Sequence, residues 1–421
     1  MKIFMQEKLW LLHLGNVFSR ANEKGEASEG LDVKLDELVN RDIVSYQDLH
    51  NRFVIEEKGE KESMGYTTMA LYSPICHFPQ VIGVFIGRLF KQNLVVQCYL
   101  ARITNLFISI AIIYFGIKYI PIKKELMLFI SLLPLTFNEI ASMSADAITI
   151  SSILFYISYI LYLKYDKNKG QITKKDIIVL TVSSIVISQC KIVYLPLCLL
   201  LLALPRDKFE SNKKRKIVIF GLIGMATLFN LLWLLYCKRF LTEFNEGVNS
   251  PLQIKYILTH PIQYFLIIIR TINTYFQYMV LCLCGEGLGS YNIQASVIYV
   301  IFCLILFAVL VLANTDSEIK VDNYTKIVSA LAFVVIVALI YTSLYVQWNP
   351  VQNARVEGVQ GRYFFPILLL TSLILNNDRL VINGKIDTKY LFIFMLFMNL
   401  NVVTSILYTY IYAMPLNFYV K

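Results

Sequence analysis

Residues 325–346 read TKIVSALAFVVIVALIYTSLYV, a run of 22 residues in which Lys326 is the single charged side chain. At about 1.5 Å per residue, an α-helix of this length spans about 33 Å, which is enough to cross the roughly 30 Å hydrocarbon core of a bilayer. A run this long and this apolar predicts a transmembrane helix.

The same pattern recurs along most of the chain, which is 57% hydrophobic and only 16% charged. That composition excludes an ordinary soluble protein. We predict membrane segments at 94–119, 126–143, 146–163, 177–189, 192–204, 217–237, 295–312, 325–346, 364–375 and 390–412. The expected fold is an all-α polytopic membrane protein with about ten or eleven membrane helices.

Three further regions complete the predicted domain organisation. Residues 1–63 are polar and acidic, and we expect one or two helices with loops, the remnant of a first extracytoplasmic loop. Residues 64–93 are apolar but interrupted by prolines, which favours an interfacial or broken helix. Residues 94–421 form the multi-span domain. Within it, residues 251–283 carry polar side chains that are costly in lipid, which favours a re-entrant or surface element.

Charge placement predicts the orientation of this domain. Residues 1–63 hold 13 acidic and 9 basic residues, which leaves 16 acidic and 30 basic residues for the rest of the chain. The bases cluster in the short connections at 118–124, 164–175 and 206–216, the pattern of cytoplasmic loops. Nucleic-acid binding is therefore not expected. The connections at 138–146, 189–191 and 348–362 are then extracytoplasmic.

Cysteine and histidine give no sign of a metal site. The eight cysteines lie within or beside apolar segments, so we predict small buried side chains. The four histidines are scattered without the spacing of metal ligands.

Several short motifs follow one another in order over roughly residues 70 to 375. They are Tyr72-Ser-Pro74, Ala101-Arg102-Ile-Thr-Asn105, Ser142-Met-Ser144-Ala-Asp146, Cys190-Lys191-Ile-Val-Tyr194, Ser250-Pro251-Leu-Gln253, Gly287-Leu-Gly289 and Gly358-Val-Gln360-Gly361-Arg362-Tyr363. In these motifs the chain resembles the bacterial polytopic membrane proteins catalogued as domain of unknown function 2142. That family in turn looks like a relative of the type C glycosyltransferases.

The resemblance implies a reaction and a location. A type C enzyme takes a sugar from a polyprenyl-phosphate donor and attaches it to an acceptor, here an envelope glycan, on the extracytoplasmic side of the bacterial inner membrane. No cofactor is implied beyond the lipid-linked sugar, and dependence on a divalent metal stays open. The alternatives are a polysaccharide polymerase, a flippase or transporter of lipid-linked sugars, and a non-catalytic truncated homologue.

Such a reaction needs cations for the lipid phosphate. Arg362 suits it, because a guanidinium binds phosphate through two parallel hydrogen bonds, and Gln360 and Tyr363 flank it. Lys191 lies at a helix tip on the same side of the membrane. For both cations the alternative is an anchor at the membrane interface.

The reaction also needs a carboxylate that accepts a proton. Asp146 is one candidate, although an acid at a helix start also caps that helix. Glu7 loosely matches the carboxylate that type C enzymes keep in the first outer loop. Arg102 and Asn105 share one helix face, and we expect structural pairing with a carboxylate or a carbonyl ahead of contact with substrate.

Overall fold

The described part of the chain is almost entirely helical. The computed structural model describes residues 24–28, 61–65, 72–238, 245, 247–283, 285, 297–312, 319–377 and 387–407. Its α-helices are α1 Phe78–Leu89, α2 Leu94–Tyr119, α3 Lys124–Ser131, α4 Pro134–Ile140, α5 Asp146–Tyr165, α6 Lys174–Cys190, α7 Asn212–Cys237, α8 Ser250–Thr259, α9 Pro261–Leu283, α10 Val297–Leu312, α11 Asn323–Gln347, α12 Leu368–Ile374 and α13 Thr388–Leu407. The 3₁₀ segments are Pro74–His77, Ile192–Ala203, Arg206–Lys208, Gly361–Tyr363 and Phe365–Ile367.

Two strands precede these helices. Strand β1, Lys24–Ser28, pairs with β2, Lys61–Gly65, as an antiparallel ribbon in which Lys24 lies opposite Gly65. We expected helices and loops in residues 1–63, and the ribbon departs from that expectation. Backbone groups of two short polar segments can pair with each other without an apolar helix face, which neither segment has.

Five helices are long and apolar enough to cross a membrane, namely Val95–Tyr119, Asp146–Tyr165, Asn212–Cys237, Pro261–Cys282 and Asn323–Gln347. Four shorter apolar helices accompany them in the described residues. The prediction of an all-α polytopic membrane protein is therefore confirmed.

Some of the predicted segments are broken where the sequence holds a proline. The run 126–143 forms two helices, α3 and α4, because Pro134 begins a new helix. The run 192–204 is a 3₁₀ helix with Pro196 inside it. In contrast, α2 coincides with the predicted segment 94–119.

Helix α5 forms the centre of the molecule. In its most apolar stretch 89% of the residues are buried, and Ser151 and Ser158 donate their hydroxyl protons to carbonyls one turn earlier, Ser158 to that of Leu154 at 2.7 Å. Lys164 lies in its last turn and Asp146 in its first turn. The two ends of α5 therefore mark two sides of the protein.

The Lys164 side is basic. Lys164 Nζ lies 2.5 Å from a carboxylate oxygen of Asp322, and Lys169 lies 2.7 Å from Asp176. Lys123 donates to the carbonyl oxygen of Val311 at 2.8 Å, near the end of α10. These lysines come from the connections that the sequence assigns to the cytoplasm.

Helix α1 is held against α2 by close backbone approach. A Cβ atom on Gly83 would lie only 2.4 Å from the carbonyl oxygen of Leu100, and one on Gly87 would lie 2.7 Å from Gln97. Glycines four residues apart let two helices approach in this way. This packing places the start of α1 beside the Asp146 end of α5.

Helix α9 lies on the side of the protein that holds the Asp146 end of α5. The Tyr264 hydroxyl lies 2.7 Å from Thr342 Oγ1, and Thr271 Oγ1 accepts a hydrogen bond from the backbone N–H of Val356 at 2.9 Å. These partners belong to the last turns of α11 and to the segment after it.

Candidate functional site

Four buried charged side chains meet at the Asp146 end of α5. Arg362 Nη1 donates to Glu139 Oε1 at 3.0 Å, and Arg362 Nε lies 3.3 Å from Asp146 Oδ2. Lys191 Nζ pairs with the other oxygen of Asp146. The side chains are between 1% and 13% exposed. We call Glu139, Asp146, Lys191 and Arg362 the charge cluster.

Each member of the charge cluster comes from a different segment. Glu139 lies in the last turn of α4 and Asp146 in the first turn of α5. Lys191 separates α6 from the 3₁₀ helix that follows, and Arg362 lies in the 3₁₀ turn Gly361–Tyr363. Two acids and two bases balance in formal charge. Removing one of them leaves a buried charge uncompensated, which costs about 3–5 kcal/mol.

Aromatic rings enclose the two cations. Lys191 Nζ lies 4.6 Å from the ring centroid of Tyr363 and 5.6 Å from that of Tyr72. Arg362 Cζ lies 5.7 Å from the Tyr363 ring, and Tyr194 donates its hydroxyl proton to the Tyr363 carbonyl at 2.8 Å. Such cation–π contacts are favourable by about 0.5–2 kcal/mol each.

A set of amide and guanidinium groups holds the turn between α4 and α5. Arg102 Nε donates to the Ala141 carbonyl at 3.0 Å, and Asn105 Nδ2 donates to the Ser142 carbonyl at 2.6 Å. Gln80 Nε2, from α1, donates to a third carbonyl of the same turn at 3.0 Å. For Arg102 and Asn105 the observed contact is thus the carbonyl pairing, which places Asp146 and Glu139 relative to each other.

A cavity of about 170 Å³ adjoins the charge cluster. Lys191, Gln189 and Tyr363 line it on the side of the cluster, and the opposite wall consists of side chains from α7 and α11. The polar side chains on that wall are Asn230, Trp233, Ser343 and Gln347. Gln189 is 7% exposed, and its Nε2 has no hydrogen-bond partner among the described residues. The cavity therefore offers a cation to a ligand, and an unpaired N–H donor is buried beside it.

Other predicted site residues take different positions. Gln360 is half-buried and precedes the turn that carries Arg362. Glu7, Gly287 and Gly289 lie outside the described residues. In the part of the chain that the structure describes, no three His, Cys, Asp or Glu side chains form a group that could hold a metal ion.

Glu139 is the functional candidate that the sequence analysis missed. It is 1% exposed, and its Oε2 has no hydrogen-bond partner among the described residues. An acid inside the apolar run 126–143 was the available signal, because such a charge is costly in a membrane segment unless it is paired.

The comparisons with known proteins give a family. No curated protein and no solved structure matches the chain. The model of a family described as predicted membrane protein (DUF2142) matches residues 13–371, which is most of the chain and includes the whole charge cluster. The chain therefore belongs to the DUF2142 family of predicted membrane proteins.

Proposed function

We propose that the protein is a membrane glycosyltransferase that moves a sugar from a polyprenyl-phosphate donor to an envelope glycan outside the bacterial cytoplasm. One observation carries the proposal. Motif residues that are far apart in the sequence meet in a buried charge cluster, and one cation of that cluster borders a cavity. Buried charges in a membrane protein are costly, and they mark sites of binding or catalysis more often than they mark sites of packing.

The side on which the cavity lies supports an extracytoplasmic reaction. The lysines assigned to the cytoplasm lie at the Lys164 end of α5, whereas the cavity lies at the Asp146 end. The contacts of α9 with the end of α11 fit a helix that lies along the outer membrane surface, as the polar residues of 251–283 suggest.

Lys191 is the residue we assign to the donor phosphate. Its ammonium is both a member of the charge cluster and part of the cavity lining. A cation fixed in a site of low dielectric stabilises the charge that develops on a leaving phosphate. Arg362 lies farther from the cavity than Lys191 and orients the carboxylates of Glu139 and Asp146. The ring of Tyr363 lies against the ammonium of Lys191.

Asp146 is the acid that pairs with Lys191 of the cavity lining, but both of its oxygens are paired with cations. When Lys191 turns towards a phosphate in the cavity, one oxygen of Asp146 loses its partner. Donor binding and the release of a carboxylate that can accept the acceptor's proton are thereby coupled. Arg362 keeps the other oxygen in place during this step.

Each charge of the charge cluster faces an opposite charge, which favours one second candidate, a non-catalytic homologue that uses the charge cluster only to hold its helices together. The two candidates differ in what Lys191 does. In the enzyme it contacts substrate, whereas in the homologue it serves only to neutralise Asp146.

The test is envelope glycan composition in a deletion strain complemented with variants. Lys191→Ala and Arg362→Ala are expected to remove one sugar from the glycan, compared in membranes that hold each variant at the wild-type amount. The matched control is Lys169→Ala, because the Lys169–Asp176 pair is as buried as the Lys191–Asp146 pair but lies at the opposite end. Glycan that is unchanged in both site variants, with each variant present at the wild-type amount, would refute the enzyme.

A further inference from the structure

Two buried cysteines lie together beside the charge cluster. Cys76 is in the 3₁₀ turn Pro74–His77, and Cys190 is the last residue of α6, directly before Lys191. Cys76 is 0% exposed and Cys190 is 1% exposed. Neither thiol has a part in the proposed sugar transfer.

The contact between them is close. Cys76 Sγ lies 3.6 Å from the carbonyl oxygen of Cys190 and 3.7 Å from that of Gln189. Both cysteines belong to one apolar cluster with Ala145 and Ile148. Both thiols are free in the structure, and a disulfide between them needs Cα atoms about 4.4–6.8 Å apart.

Another buried thiol, that of Cys198, provides a contrast. Cys198 is 2% exposed and lies near the hydroxyls of Tyr156 and Ser184. It lies inside the apolar 3₁₀ helix Ile192–Ala203 rather than at the end of a helix. Cys198 therefore serves as an internal reference for a buried cysteine that stays reduced.

We propose that Cys76 and Cys190 form a disulfide that ties the turn before α1 to the tip of α6 that carries Lys191. The inference rests on the extracytoplasmic placement of this end in the proposed function, because disulfides persist in oxidising compartments. It does not depend on the sugar transfer itself.

The oxidant we assign is a thiol–disulfide exchange protein on the outer face of the membrane. One cysteine thiolate attacks the disulfide of that protein and forms a mixed disulfide, and the second thiolate then displaces the protein's sulfur. Cys76 and Cys190 together lose two electrons and two protons and gain one S–S bond. The exchange protein gains the two electrons and two protons as a pair of thiols.

Burial sets the order of events. In the folded protein both thiols are inaccessible, so the exchange occurs during membrane insertion, before the Pro74–His77 turn packs against α6. Once packed, the bond is shielded from small reductants in the same way. The disulfide then fixes the backbone from which Lys191 reaches Asp146.

The test uses the wild-type protein in native membranes. Free thiols are blocked with N-ethylmaleimide under denaturing conditions at the moment of lysis, and peptides are then analysed by mass spectrometry without and with reduction. We expect a Cys76–Cys190 linked peptide in most molecules and an alkylated Cys198. Finding Cys76 and Cys190 fully alkylated, like Cys198, would overturn the proposal.

A pair of variants separates this bond from the sugar transfer. Cys76→Ser is expected to leave Cys190 alkylated, whereas Cys198→Ser is expected to leave the linked peptide intact. A linked peptide in a strain whose glycan does not depend on Lys191 would support the disulfide and refute the transferase. Reduced thiols in a strain whose glycan does depend on Lys191 would refute the disulfide and support the transferase.

Discussion

Replacing Arg362 with methionine tests how the charge cluster is held together. Methionine keeps an unbranched apolar side chain, but it removes the hydrogen bond to Glu139 and the contact with Asp146. Glu139 is 1% exposed, and Arg362 is the cation that faces it, so its charge would stay buried without compensation. We expect the free energy of unfolding to fall by about 3–5 kcal/mol.

A second substitution makes this prediction specific to the ion pair. Glu139→Gln removes the negative charge at nearly constant volume, so in the double variant no unpaired carboxylate remains next to the side chain that replaces Arg362. The loss in the double variant is expected to be smaller than the sum of the two single losses by about 0.5–3 kcal/mol, the range found for residues in direct contact.

The assay is unfolding of the purified protein in mixed micelles with a rising fraction of sodium dodecyl sulfate, followed by circular dichroism. The four proteins of the cycle are measured in the same micelles. The reasoning would be refuted if the sum of the two single-variant losses in unfolding free energy equalled the double-variant loss within about 0.5 kcal/mol. Additivity at that level is what independent sites show.

Three further predictions concern the supports around the charge cluster. Gly83→Ala is expected to lower the yield of folded protein, because the added Cβ would lie 2.4 Å from a backbone oxygen of α2. Gly224→Ala is the control within a helix, because nothing lies within 4 Å of a Cβ at that position. Equal yields of the two variants after purification would contradict the account. Asn105→Ala should cost about 1–3 kcal/mol in the same micelle assay because it leaves a buried carbonyl unpaired, and a change below about 0.5 kcal/mol would speak against that hydrogen bond. Burial opposes the charge of Asp322, but hydrogen bonds from Lys164 and its neighbours outweigh burial and hold the pKa of that carboxyl below its ordinary value. Asp322 therefore stabilises the fold above about pH 4 and loses this effect as the pH falls further, so unfolding curves of Asp322→Asn and wild type should converge below about pH 4 and separate at about pH 7.

Most of the fold can be predicted from the sequence because apolar runs of sufficient length leave few alternatives to membrane helices. Helix α2 coincides with its predicted segment, since no proline interrupts it. The run 126–143 is predicted as one segment, but Pro134 divides it into α3 and α4. Composition alone also cannot tell whether α9 crosses the bilayer or lies along its surface, because both positions accept an apolar helix.

The site could be predicted in part. Lys191, Asp146 and Arg362 stand out as charges at the ends of apolar segments, and the structure brings these three together. Glu139 has no local signal of a partner, because Arg362 lies 223 positions away. The sequence around Arg102 is compatible with a substrate contact and with a hydrogen bond to a backbone carbonyl. The structure shows that Arg102 donates to the carbonyl of Ala141, in a turn that the sequence does not place beside it.

The central claim is that the ammonium of Lys191 acts on a ligand in the cavity, and one comparison tests it most directly. Lys191→Arg keeps the positive charge, whereas Lys191→Met removes it at similar length. In the complemented deletion strain, at equal amounts of protein in the membrane, we expect the sugar content of the envelope glycan to persist in part with arginine and to fall at least about tenfold with methionine, the change that about 1.4 kcal/mol of lost transition-state stabilisation produces. Wild-type glycan with Lys191→Met would contradict the account.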